Sequence, residues 1–221
     1  MNSKIRAVIT GDIVGSTKIA GDYQEVLYQI DNDIKQYKDD SFILDIYRGD
    51  SFQSISNKPA KALLILLILK AGLKRYSSKK GSREMQWDAR MSLGIGSLEE
   101  YPKSNNLREL SGDPFTKSGR NLDQMKEKGQ LIQVSTGVEK LDDEIFSVTP
   151  LIEAVTNRWS TAQADAIYQL LLKNITQSEI GKELGGKSQR AISKRLEASN
   201  VDSIKPYLSR FEKQIAWTFN I

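Results

Sequence analysis

Along the first two thirds of the chain the apolar positions switch between a period near two and a period near 3.6. Ala7–Thr10 is a short apolar run that predicts a strand, ended by the loop Gly11-Asp12-Ile13-Val14-Gly15-Ser16-Thr17. Gln24–Tyr37 sets Val26, Leu27, Ile30, Ile34 and Tyr37 at helical spacing. Phe42–Tyr47 and Phe52–Ser56 are rich in β-formers and flank Arg48-Gly49-Asp50, which predicts a hairpin. Pro59–Tyr76 contains the most apolar run, Ala62–Leu69 between Lys61 and Lys70. It reads as a buried helix with proline at its start, where a missing N–H costs nothing. Ser77–Arg83 reads as a basic loop of small residues, and Asp88–Gly96 as a strand with Ala89, Met91, Leu93 and Ile95 on one face. The order is βαββαβ, an α+β arrangement of the ferredoxin-like kind, followed by a helix over Pro114–Lys128 and a strand at Leu131–Val134.

From Val148 the strand signals stop. Pro150–Arg158 and Thr161–Leu172 are helical in pattern, and short helices follow from Thr176. A boundary near Phe146–Pro150 therefore divides the chain into an α+β domain over 1–147 and an all-α domain over 148–221. Thr176-Gln177-Ser178-Glu179 is a capping box, and Ile180 and Leu184 make an apolar face with Gly181 between them. Gly185-Gly186-Lys187 makes a turn, Ser188 caps the next helix, and Ile192 and Leu196 carry its core face. Lys187, Arg190, Lys194 and Arg195 are left off that face. The pattern predicts a helix-turn-helix and resembles sigma-region-4 and LuxR-like modules, with a turn one residue longer. On that reading the DNA contacts are Lys187, Ser188, Gln189, Arg190, Lys194 and Arg195, with Gln189 and Arg190 facing base edges and Lys194 and Arg195 facing phosphates. The plain alternative is a structural hairpin with a solvated basic face. Ile204–Phe219 is a further apolar helix that either joins two copies or packs on its own domain.

Composition narrows the chemistry. The 221 residues include no cysteine and no histidine, which removes disulfides, thiolate nucleophiles, Cys/His zinc sites and histidine-based triads. Any metal must be a hard cation on carboxylates. The net charge is only +4, but residues 151–221 hold ten Lys/Arg against seven Asp/Glu, so most of the surplus lies in the C-terminal third. The N-terminus has no signal-peptide pattern and the eight-residue apolar run is too short to span a bilayer. A cytoplasmic protein with no membrane partner is expected.

Asp12 follows the first strand and Asp50 sits in the hairpin between the next two, so a βαββαβ sheet brings both to one region. Each Gly-Asp pair alone is an ordinary turn. Together, two carboxylates with a backbone carbonyl, that of Ile13, suit Mg²⁺ or Mn²⁺. Gly15, Ser16 and Thr17 at a helix start would offer donors to a nucleotide phosphate. Thr116 and Arg120, four apart, share a helix face.

In order and spacing, Gly11–Ser16, Arg48–Phe52, Met91–Gly96 and Gly112–Leu122 resemble the catalytic domain of class III nucleotidyl cyclases. The resemblance implies Asp12 and Asp50 as ligands of two metal ions. It implies Arg120 as a transition-state arginine offered across a homodimer interface, Thr116 at the usual asparagine position, and Glu109 at the base-selecting acidic position. The purine-reading lysine is replaced by Ile46, which implies base recognition that is changed or lost. Over nearly the whole chain the sequence also resembles SatD-family proteins, through Ile13, Gly49–Gln53, Gly94-Ile95-Gly96, Ser118-Gly119-Arg120 and Trp159 with Gln163. Three functions follow as expectations. The first is a DNA-binding regulator whose cyclase-like domain binds a nucleotide or phosphate-bearing ligand with Mg²⁺. The second is an active metal-dependent nucleotidyl cyclase working as a homodimer. The third is an interaction scaffold.

Overall fold

The helical and alternating stretches fold in the expected order, and the strand pairing follows from which faces they bury. The computed structural model describes residues 4–18, 21–47, 49–80, 83–102 and 106–221. The first half comprises β1 (Lys4–Ile13), α1 (Tyr23–Tyr37), β2 (Ile43–Tyr47), β3 (Ser51–Ser56), α2 (Ala62–Lys74), β4 (Ser77–Lys80), β5 (Arg83–Gln86) and β6 (Ala89–Leu98). After it come α3 (Asp113–Lys128), β7 (Ile132–Ser135), α4 (Glu139–Thr156), α5 (Thr161–Lys173), α6 (Gln177–Glu183), α7 (Gln189–Ser199) and α8 (Lys205–Phe219). The main sheet has the order β2-β3-β1-β6-β7, antiparallel except for the parallel β6–β7 pair. Its first four strands have the ferredoxin-like order. Arg48, read as part of the hairpin turn, lies outside the described residues.

Both sheet faces are covered. Ala7, Ile9 and Ile13 of β1 join the large core beneath α1 and α2, whereas Val8 belongs to a second cluster with Ile55, Leu98, Leu107 and Phe115. On this second face the Thr10 and Ser118 hydroxyls meet at 2.8 Å, which fixes α3 against β1. Gly94 is needed there, because a Cβ at that position would fall 2.2 Å from the Pro114 carbonyl oxygen.

Two expectations change. The basic stretch Ser77–Arg83 is not a simple loop, since Ser77–Lys80 pairs antiparallel with Arg83–Gln86 as a separate hairpin. It carries no apolar alternation, so periodicity could not reveal it. The helix expected from Pro150 begins at Glu139, and α4 runs unbroken through Phe146–Pro150, the stretch expected to be a boundary. Pro150 does not stop the helix; beside it the Thr149 hydroxyl donates to the Ile145 carbonyl at 2.7 Å.

The helical part is anchored to the sheet layer by α5. Tyr168 on α5 donates to Asp33 on α1 at 2.7 Å, and Arg75 on α2 pairs with Asp165 at 3.0 Å while lying 4.4 Å over the Tyr168 ring. The apolar face of α8 is used within the chain, with Phe211 and Ile215 buried and Arg210 paired to Glu144 of α4. That answers the open reading of Ile204–Phe219 in favour of packing on its own chain.

Lys70 and Lys74 are buried on α2 and converge on Asp88, at 2.8 and 3.3 Å. The Asp88 carboxylate also accepts from the Ala89 N–H, and its backbone carbonyl accepts from the Val14 N–H at 2.9 Å. Lys74 reaches the Asn157 carbonyl at the end of α4. Asp88→Asn leaves two buried ammoniums without their counter-charge and should cost ~3–5 kcal/mol of stability. Lys70→Met, which leaves Lys74 to pair with Asp88, should be near neutral or stabilising. Burial holds the Lys70 ammonium below its ordinary range, with Asp88 opposing. Between the folded and unfolded values the unfolded chain binds more protons, so this group makes stability rise with pH across that window. Urea unfolding of wild type and Lys70→Met from neutral to alkaline pH should show that rise only in wild type.

Candidate functional site

The end of β1, the tip of the β2–β3 hairpin and the start of α1 meet as the sequence motifs require. The Ile13 N–H donates to the Asp50 carbonyl at 2.9 Å, Ser16 Oγ donates to Asp50 Oδ2 at 2.6 Å, and Gln24 Nε2 donates to the Gly49 carbonyl at 3.0 Å. Asp12 is on the sheet face covered by α3, and two cations hold it there. Arg90 Nη1 lies 3.0 and 3.2 Å from its two carboxylate oxygens, and Lys126 Nζ lies 3.7 Å away. Arg90 is fixed in turn by its Nε, which donates to the Gln130 carbonyl.

The phosphate cradle differs from expectation. Ser16 and Thr17 belong to a single 3₁₀ turn, and α1 starts only at Tyr23. Its N-terminus is capped by Asp22, whose carboxylate accepts from the N–H groups of Gln24 and Glu25. A carboxylate already fills the position where helix N–H groups would meet a phosphate. Gly15 adopts a left-handed φ of 67°, which allows the chain to turn away from β1.

Thr116 and Arg120 are both exposed on the outer side of α3. Lys126, six residues beyond Arg120, is the α3 residue that reaches Asp12, which sets Arg120 ~9 Å up the helix axis from it. Glu109 lies in the loop before α3, where it accepts from Asn106 and adjoins Asp45 and Arg108. Arg108 donates to the Ile46 carbonyl at 3.0 Å, so the two positions implied for base selection lie in one neighbourhood at β2. That strand lies two places from β1, ~10 Å across the sheet from Asp12.

In the C-terminal part, α6 and α7 form two capped helices joined by a tight turn. Thr176 and Glu179 make the expected capping box, and Ser188 caps α7 by accepting from the Ala191 N–H. Gly181 lies against the turn, where a Cβ would stand 2.1 Å from the Lys187 carbonyl oxygen, and the Lys187 N–H donates back to Gly181 at 2.8 Å. Ile180, Ile192 and Leu196 are buried, and Trp159, in the junction between α4 and α5, ties α7 to that junction by donating to the Ser199 carbonyl at 3.0 Å. Lys187, Ser188, Gln189, Arg190 and Lys194 are exposed and Arg195 is half-buried. Among the described residues no carboxylate lies within ion-pairing distance of Lys187, Arg190, Lys194 or Arg195. Gln189 donates to Gln177 at 2.7 Å.

Sequence reading missed Arg90 and Lys126. Both sit in regular elements without a motif of their own, and only the pairing of Asp12 opposite Arg90 in the β1–β6 ladder reveals the first.

No protein-family model matches the chain, and no curated protein matches it. Among solved structures, the chain is similar to the GGDEF domain of FimX from Pseudomonas aeruginosa, with a TM-score of 0.40 and 14% identity over 60% of this chain and 81% of that one. It is similar also to the active GGEEF domain of a diguanylate cyclase from Vibrio cholerae, with a TM-score of 0.39 and 14% identity over 59% and 83% of the two chains. Similarity at this level carries no argument about this chain, and the ferredoxin-like assignment rests on the strand order. No helix among the described residues is long and apolar enough to cross a membrane.

The cyclase resemblance implies metal at Asp12 and Asp50, and the donor set does not fit it as arranged. Among the described residues no group of three metal-ligating side chains converges. A divalent ion on Asp12 would face Arg90 and Lys126 across ~4 Å, where like unit charges near a protein surface repel by ~4 kcal/mol. Manganese titration followed by electron paramagnetic resonance should therefore show no sub-millimolar site in the wild-type chain. Arg90→Ala with Lys126→Ala should bind manganese more tightly than wild type, and adding Asp12→Asn should reverse that gain. Tight binding to wild type that disappears in Asp12→Asn would contradict the ion-pair account.

Proposed function

We propose that this protein is a DNA-binding regulator, with the helices that follow α4 supplying the DNA-binding module and the cyclase-like part before them a ligand-binding module. The observation that carries the reading is the basic face of α7. Lys187, Arg190 and Lys194 stand exposed at the turn and along one helix, without carboxylate partners among the described residues, on a hairpin held by two caps and by the close approach at Gly181. A surface of this kind suits counterion release from nucleic-acid phosphates, with Gln189 and Arg190 nearest the helix start for base edges. One module offers few contacts, so a homodimer on a two-fold site is the working form in this reading, with the exposed Thr116 and Arg120 of α3 available to a second copy.

The ligand proposed for the first module is a nucleotide or another phosphate-bearing compound. Its support is the pair of cations, Arg90 and Lys126, that meet Asp12 at the end of β1. Its phosphates would compete with Asp12 for those cations and would bring any Mg²⁺ or Mn²⁺ with them. The cyclase reaction draws less support, because it requires Asp12 and Asp50 open to metal while Asp12 is held by two cations and Asp50 by Ser16.

Fluorescence anisotropy with a labelled mixed-sequence duplex at several salt concentrations tests the DNA reading. Binding should fall steeply with salt. Arg190→Ala with Lys194→Ala should weaken it and reduce the salt slope by ~2, about one unit for each lost phosphate contact. An unchanged slope in that double variant would reduce α6–α7 to a structural hairpin.

A further inference from the structure

A cavity of about 430 Å³ lies where the residue after α1, the short turn Pro59–Lys61, the end of α5 and the start of α8 come together. Small-molecule sites commonly enclose ~300–1,000 Å³, so the space is large enough for one. A ligand seated here would touch helices of the sheet layer and the last helix of the chain at once.

The lining is amphipathic. Ala60, Leu64, Leu170 and Leu208 are only partly covered by the core, and they give the cavity an aliphatic floor. Lys38 and Lys61 border the same space, the first half-buried and the second exposed. Among the described residues no carboxylate lies within ion-pairing distance of either. Other lysines on these elements are matched. Lys35 pairs with Asp31 at 2.6 Å, and Lys58 with Asp40 at 3.5 Å. Lys173 pairs with Glu183 at 3.0 Å, and Lys205, also in the lining, with Asp202 at 2.6 Å. Burial and the charge of Lys61 hold the Lys38 ammonium below its ordinary range, with no carboxylate offsetting them. An anion at this place would relieve the repulsion between the two lysines. Glu212 supplies a carboxylate to the lining, and it repels a doubly charged anion about twice as strongly as a singly charged one.

We propose that this cavity binds an aliphatic monocarboxylate, with its carboxylate on Lys38 and Lys61 and its hydrocarbon chain over Leu64, Leu170 and Leu208. The site is separate from the phosphate-bearing ligand proposed at Arg90 and Lys126, and it uses neither of those cations.

The test is calorimetric titration of the full chain with acetate, butyrate, hexanoate and octanoate, and with octanol and octyl phosphate. Octanoate should bind with a Kd below ~1 mM. Affinity should rise along the carboxylate series by up to ~4-fold for each methylene added. Octanol, which brings no charge to the lysines, should bind at least ~10-fold more weakly, and octyl phosphate should also bind more weakly than octanoate. Lys38→Gln with Lys61→Gln removes two charges that make no ion pair in the fold, and should weaken octanoate by ~10-fold or more. Lys140→Met, at an exposed position on α4 outside the lining, should leave binding unchanged. The proposal fails if octanoate does not bind, if affinity is independent of chain length, or if octanol or octyl phosphate binds as tightly. It fails too if binding survives the double glutamine variant. Loss of binding in Lys140→Met would also overturn it, by showing that net charge and not this cavity holds the carboxylate.

Discussion

The arrangement of the first module depends on one carboxylate at the edge of the core. Asp88 sits where β6 begins and gathers Lys70, Lys74 and the Ala89 N–H on its side chain while its carbonyl receives Val14. A lone ammonium in the fully buried position of Lys70 would be too costly to keep. The carboxylate therefore fixes where α2 can lie against the sheet. Through Val14 it also fixes where the chain leaves β1, immediately before Gly15 and Ser16. The candidate site at the end of β1 consequently inherits its geometry from an ion cluster beneath it.

The same helix carries the constraint toward the second module. Lys74 touches the Asn157 carbonyl at the end of α4, and the next residue, Arg75, pairs with Asp165 and covers Tyr168 of α5. Burial, with Asp33 beside it, pushes the Tyr168 hydroxyl well above its ordinary value, so it stays protonated as the donor that locks α5 to α1. From the α4–α5 junction, just before α5, Trp159 reaches the end of α7. A displacement of α2 cannot leave the α6–α7 hairpin where it was unless these contacts break. Packed cores respond to such a change by switching rather than by stretching.

Much of this was legible in the sequence, and the omissions have a common cause. Periodicity located α1, β2, β3, α2, β6 and α3, and cap chemistry located α6 and α7, because each signal is local. Gly94-Ile95-Gly96 stood out as a motif, yet its role is packing, since α3 lies directly on Gly94. Lys70 was read as the end of an apolar run. Its spacing of four from Lys74, on a helix apolar all round, was the available sign that both must share a buried counter-charge. Which carboxylate supplies it depends on tertiary placement. The pairing of Asp12 with Arg90 is similarly a fact of strand register, invisible until β1 and β6 are set side by side.

The motif that resembles a metal site is therefore best understood through its charge balance. At the end of β1 the Asp12 carboxylate is already matched by Arg90 and Lys126, so its charge is balanced without any added ion. A divalent cation must displace the arginine and the lysine, whereas an anion must displace only Asp12. Electrostatics thus favours an anionic ligand over a free metal ion at this position. Such a ligand exchanges one carboxylate for another anion on cations already in place, and the strand end, anchored through Asp88, need not move to admit it.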